Sequence, residues 1–191
     1  MGGTSFSVAL ERTRNGDPAA FGMLWREYQP RLLRYLRAAT GDAAEDVASE
    51  TWATVTKSIT KFDGDETAFR AWLFTVARRR AVDHFRREAR RPSVPVDPVT
   101  LGAAMIAAPG ADPSEHALST LDTELALRRI AELPSGQRDA VMLRAIAGLD
   151  VAHVAAIMGK RPGTVRVLAH RGLRALARQL AEEEEERTVT P

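Results

Sequence analysis

"DVAHVAAIMGKRPGTVRVLAHRGLRAL" (150–176) decides how this chain folds. Asp150 is placed to cap a short apolar helix that Gly159 closes, and Pro162 opens a longer helix at its first position. Two helices joined by a tight turn make a helix-turn-helix, whose second helix can enter a major groove with its N-terminal residues toward base edges. That second helix is strongly cationic. Residues 160–178 carry Lys160, Arg161, Arg166, Arg171, Arg174 and Arg178 and no acid. Arginine can grip guanine bidentately, and cations near a helix start also meet phosphates, a contact the N-terminal amides favour. Val165, Leu168, Leu173, Leu176 and Leu180 are expected to face inward.

Working outward, the second helical block spans 120–181. Leu121, Leu125 and Ile130 are expected inward on its first helix. Ser135 is read as the cap of "SGQRDAVMLRAIAGL", with Val141, Met142 and Ile146 inward and Gly148 at its end. Upstream, "DPAAFGMLWREYQPRLLRYLRAA" (17–39) has Asp17 as cap and Pro18 in the first turn, with Pro30 predicting a kink or restart. "DAAEDVASETWATVTKSI" (42–59) puts Val47, Thr51, Trp52, Val55 and Ile59 on one face and Asp46, Ser49, Glu50 and Ala53 on another. "KFDGDE" (61–66) is a turn signal, and 67–91 follows with Phe69, Trp72, Leu73, Val76, Ala77 and Phe85 as its buried stripe. One core holding Trp25, Trp52 and Trp72 is expected. No β-branched alternation appears, so the class is all-α, with two small helical domains.

Between them, 92–119 is rich in Pro, Gly and Ala and lacks Lys and Arg. It reads as a flexible linker with one short helical turn at 101–107; a buried segment of a single domain is the alternative. The domain plan is therefore 1–91, linker 92–119, 120–181, and an acidic tail 182–191 with Glu182 to Glu186. The tail is either a solvated face or an imitation of nucleic acid.

A net charge of only +2 hides segregation. "RRRAVDHFRREARR" (78–91) carries seven Arg against Asp83 and Glu88, a second cationic cluster beside the one at 160–178. Two such clusters on patterned helices point to a polyanion held at two places; a pair of solvated faces is the bland alternative. Phe62, Phe69 and Trp72 flank the Arg-rich helix, and single strands are bound by stacking faces beside a cationic track. Each ring alone is as readily a core residue. With 45% hydrophobic residues the chain can build cores. It has no cysteine, which excludes disulfides and thiolate metal sites and suits a reducing cytoplasm. Its four His have no metal-ligand spacing. No apolar run reaches the ~18 residues of a membrane helix, and the first residues lack the order of a secretion signal. No catalytic constellation or phosphate-binding Gly-rich loop appears, so an enzyme is not expected and no cofactor or metal is called for.

"ELPSGQRDAVMLRAIAGLDVAHVAAIMGKRPGTVRVLAHRGLRAL" (132–176) resembles region 4 of the extracytoplasmic-function (ECF) RNA polymerase sigma factors, group 4 of the sigma-70 family. "DAAEDVASETW" (42–52) and "FRAWLFTVARRRAVDHFRR" (69–87) are similar to region 2. The likeness covers about 20–91 and 120–180. It implies an alternative sigma factor that binds core polymerase and directs promoter-specific initiation. Region 4 would read a duplex −35 element with Thr164, Arg166, Val167, His170 and Arg171, helped by Lys160 and Arg161. Region 2 would take the −10 element with Phe62, Phe69, Trp72, Arg79, Arg80, Asp83, Arg86 and Arg87, holding an extruded base near 61–67. Asp46, Ser49, Glu50 and Ala53 would dock on the clamp helices of the polymerase β′ subunit, and region 4 on the β-flap. An anti-sigma factor is a further partner that family members often have. A stand-alone helix-turn-helix regulator is the competing reading; it would need a dimer helix, which the sequence does not offer. Ser49, Arg79, His153, Arg161 and Leu168 depart from residues the family commonly carries, so the likeness does not extend to a promoter sequence.

Overall fold

A computed structural model of the chain describes the backbone of residues 3–90 and 113–189 and the side chains of 5–90 and 123–182. The helical turn expected at 101–107 lies outside the described residues. Within them the chain is helical throughout: α1 (Gly3–Arg14), α2 (Pro18–Thr40), α3 (Ala44–Ser58), α4 (Glu66–Glu88), α5 (Pro113–Glu132), α6 (Ser135–Ala145), α7 (Val151–Met158) and α8 (Pro162–Val189).

Local chemistry sets most of these boundaries. Asp17 Oδ1 accepts from the amides of Ala19 and Ala20 at 2.9 and 3.2 Å, and Pro18 begins α2. Gly16, at φ 82°, makes the tight reversal from α1. Asp65 accepts from the amide of Ala68 at 2.8 Å and starts α4. Asp150 accepts from the amide of His153 at 2.9 Å and starts α7, which ends on left-handed Gly159. A carboxylate that satisfies first-turn amides is stabilised as the anion. The Ala20 amide and then Arg12 hold Asp17 below the ordinary carboxylate range, and the His153 amide does the same for Asp150.

Several expectations are revised. α1 had no sequence assignment, yet Phe6, Ala9 and Leu10 are buried against the first block. Phe6 meets Phe69 at 5.4 Å. α2 runs unbroken through Pro30, so no restart occurs there. Pro134, not Ser135, takes the cap position of α6, and no side chain caps it. α5 begins at Pro113, inside the stretch read as linker, because proline suits the first turn of the good helix-forming run that follows. α8 continues to Val189, so the acidic run prolongs the last helix and is not a separate tail. Trp25 (41% exposed) and Phe85 (48%) leave the core, as do Leu125, Leu173 and Leu180. Helical spacing assigns a face but cannot say how wide the covered stripe is.

In the first block α2, α3 and α4 pack on one another with α1 laid over α2; in the second, α6, α7 and α8 surround one another and α5 meets α8. Leu24, Tyr28, Leu32, Leu36, Val47, Val55 and Leu73 fill the first core. Tyr28 donates to Glu66 Oε1 at 3.0 Å, tying α2 to the start of α4. Trp52 Nε1 donates to Gln29 Oε1 at 2.6 Å, tying α3 to α2. Gly172 lets α8 approach α6 closely: a Cβ there would lie 2.8 Å from Val141 Cγ2. The two expected domains are packed on each other. α5 and α6 lie on α2, α7 lies on α4, and buried apolar residues form one continuous cluster across the seam.

Candidate nucleic-acid interface

The basic face of α8 is built by burying the opposite one. Val165 and Ala169 are buried and Leu168 is half-buried, so the intervening positions must project. Lys160, Arg161, Thr164, Arg166, Val167, His170 and Arg171 are all exposed along one side of the turn and helix. No described acidic side chain pairs with Lys160, Arg161, Arg166 or Arg171. The free amides of the first turn add positive potential at the same end. An anion or an electronegative groove edge is what this surface can bind without first breaking an ion pair.

The first block presents a different surface. Phe62 stacks on Trp72 with ring centres 4.9 Å apart and planes 19° apart. Both rings are half-buried, and Phe69 backs them edge-on at 5.6 and 5.8 Å. Phe69 is 0% exposed. It supports the pair from within the core and has no face to offer a base, which corrects its assignment as a nucleic-acid contact. Gly64 makes the pairing possible, since a Cβ there would lie 2.8 Å from Ala68 Cβ and 3.1 Å from the Phe62 ring. The Asp63-Gly64 pair announced a turn in the sequence; its hold on Phe62 was not legible there.

Two adjoining hollows run between α3 and α4. Thr54, Trp72, Thr75, Val76, Arg79, Arg80 and Asp83 line one. Glu50, Ala53, Thr54, Lys57, Ser58, Arg80 and Arg87 line the other. Arg80 donates to Thr54 Oγ1 at 2.7 Å. Arg87 donates to both Glu50 carboxylate oxygens, at 3.1 and 3.2 Å. Arg86 lies 3.8 Å from Asp83, while Arg79 and Arg90 project. Asp46, Ser49 and Ala53 are exposed on α3 and Glu50 is half-buried beside them, so these four share the expected face. The structure thereby joins what the sequence kept apart: Glu50 of that face holds Arg87 of the cationic helix.

Family models for Sigma-70 region 2 and Sigma-70 region 4 match residues 24–91 and 123–176. The chain is 32% identical over 195 residues to the ECF RNA polymerase sigma factor ShbA of Streptomyces griseus, over 92% of this chain and 97% of that one. The chain belongs to the ECF RNA polymerase sigma factors. It is 33% identical over 177 residues to the sigma factor BldN of Streptomyces coelicolor, covering 91% of this chain and spanning 65% of BldN's length. Its fold is similar to that of CnrH, solved with the cytosolic domain of CnrY: TM-score 0.63, 20% identity, 93% of this chain and 98% of that one. As an alternative sigma factor it works with core RNA polymerase and promoter DNA to start transcription. No described helix of this sigma factor is long and apolar enough to cross a membrane, and no described cluster of His, Asp and Glu could hold a metal ion.

Proposed function

We propose that this sigma factor grips one promoter at two points, through surfaces of opposite design. The exposed start of α8 reads the −35 duplex, with Arg166, His170, Arg171, Thr164 and Val167 toward base edges and Lys160 and Arg161 on phosphates. The half-buried Phe62–Trp72 stack, the hollow beside it and the cations Arg79, Arg80, Arg86 and Arg87 take the −10 strand, with Asp83 at the rim. Asp46, Ser49, Glu50 and Ala53 dock on the β′ clamp helices and the second block on the β-flap, following the family resemblance. The protein supplies recognition, and polymerase supplies the chemistry, so it is not itself an enzyme and acts in the cytoplasm. An anti-sigma factor is a further partner of the kind the family resemblance suggests. The observation that carries this reading is the row of exposed α8 cations without acidic partners among the described residues.

Core polymerase reconstituted with the protein on a promoter library tests it. Transcripts should start downstream of one shared −35/−10 pair. Start sites no different from those of core polymerase alone, with the free protein binding a palindrome tightly, would instead favour a stand-alone regulator.

A further inference from the structure

The second of the two hollows between α3 and α4 carries more positive charge than its protein partners use. Lys57, Arg80 and Arg87 line it against a single carboxylate, Glu50. Arg80 is half-buried and has no acidic partner among the described residues. Its Nη2 donates to Thr54 Oγ1 at 2.7 Å, and that hydroxyl in turn donates to the backbone carbonyl of Glu50 at 2.9 Å. The relay aims the guanidinium but supplies no negative charge. Lys57, in the last turn of α3, is exposed and has no acidic partner among the described residues. Ser58 is half-buried beside it, and its hydroxyl has no hydrogen-bond partner among the described residues.

Helical spacing gives the hollow its shape. Glu50, Thr54 and Ser58 recur every four residues and form one row of α3. Arg80 and Arg87 stand across from that row, roughly 10 Å apart along α4 at ~1.5 Å of rise per residue. The hollow encloses about 440 Å³, the size of a small-ligand site at about 300–1,000 Å³. A half-buried cation is costly unless an anion accompanies it. The Glu50–Arg87 pair, with side chains 39% and 55% exposed, is of the weak kind that an incoming anion can open. Guanidinium groups meet phosphate with paired N–H donors, and an ammonium adds a point charge. Two arginines at the ends of the hollow, with a lysine on its opposite wall, suit linked phosphates better than one small anion.

We propose that this hollow binds a chain of phosphates, held by Arg80, Lys57 and Arg87, with Ser58 donating and Thr54 fixing Arg80. The occupant takes Arg87 from Glu50. The promoter reading gives Glu50 to polymerase, Arg80 and Arg87 to the strand, and Lys57 and Ser58 to neither, so the occupant touches both surfaces. The site stands on its own geometry. The promoter reading bears only on the source of the phosphates, a free phosphorylated small molecule or the backbone of a single strand.

Tripolyphosphate is the probe, titrated calorimetrically into the full-length Arg166→Ala, Arg171→Ala variant, so that these two α8 cations do not compete for it. One site per chain is expected. Added to that background, Arg80→Met should lower affinity about tenfold or more, as for a lost charged hydrogen bond, and Lys57→Ala should lower it less. Glu50→Gln should raise it several-fold by releasing Arg87. Arg26→Ala, which removes an exposed charge of α2 outside the hollow, should change it little. Helix content by circular dichroism checks folding; if Arg80→Met unfolds, Lys57→Ala decides, because Lys57 is exposed. No binding, equal losses from Arg26→Ala and Lys57→Ala, or no gain in Glu50→Gln overturns the site. A single-stranded oligothymidylate added to the loaded protein separates the sources: release of tripolyphosphate assigns the hollow to a strand backbone, and binding of both together assigns it to a free small molecule. Absence of defined start sites in the wild type refutes the promoter reading and leaves the titration standing.

Discussion

Arg166 and Arg171 of α8 have no acidic partner among the described residues, whereas most arginines of α4 are already engaged. Arg78 is held by Asp139, Arg80 by Thr54 and Arg87 by Glu50. The difference is positional. α8 presents its basic side at the edge of its block, while α4 runs between α3 and the second block, so its arginines meet protein on two sides. An arginine that meets phosphate from water gains a contact; one that must first leave a carboxylate gains only the difference. Per residue, the α8 cations should therefore weigh more in DNA affinity than those of α4, and the α4 cations should couple nucleic-acid binding to other events in the protein.

The sharpest way to break this comparison is through the core that holds the first surface up. Phe69→Ala should cost about 3–5 kcal/mol of stability in thermal or urea unfolding, as for a buried aromatic, and −10 opening should be lost with it. Trp72→Ala, half-buried, should lose opening with a smaller loss of stability. Equal stability of the two variants would return Phe69 to the surface. Next come Arg166→Ala and Arg171→Ala, each expected to weaken −35 recognition by about 1–3 kcal/mol where the contact is bidentate, read as affinity for −35 variants. Unchanged affinity in both would remove α8 as the reading helix. Replacing Arg86, Arg87 and Arg90 together by Ala should weaken promoter binding for all sequences alike and flatten its salt dependence by less than three full phosphate contacts, because Arg87 is shared with Glu50. A loss of slope as large as three contacts would mean that Glu50 holds nothing back. The smallest effect concerns Asp17, whose carboxyl is held below its ordinary value of 3.8. Its folded form binds a proton less readily than its unfolded form, so its contribution is complete above that value and fades as pH falls through the folded value. Asp17→Asn should lower the melting temperature at pH 7, and the gap to wild type should narrow in acid; a gap that is constant with pH would assign the cap no charge effect.

Much of this was legible along the chain. Asp17, Asp150, Gly159 and Pro162 set helix ends by local hydrogen bonding and backbone geometry, which a few consecutive residues suffice to encode. The exposed −35 candidates were legible because helical spacing put Val165 and Ala169 opposite Arg166 and Arg171. Trp25, Phe85 and Leu173 were not assigned correctly, since a ring or a leucine at an apolar position is buried only if another helix happens to cover it; Phe69 was read both as part of the buried stripe and as a base contact, and only its burial decides between the two. α1 went unread because its apolar residues are few and its partner surface lies on α2.

The sequence by itself determined an all-helical chain, a helix-turn-helix with a basic second helix, and two cationic clusters on either side of a proline-rich stretch. Helix ends and charge content depend on neighbours within a turn or two. Only the tertiary structure decided which arginines are spent on protein partners, that Phe69 backs the Phe62–Trp72 stack, and that Asp139 draws the two blocks together through Arg78. Those outcomes rest on side chains meeting in space, Arg78 and Asp139 across 61 positions of chain, and burial makes their pairing matter.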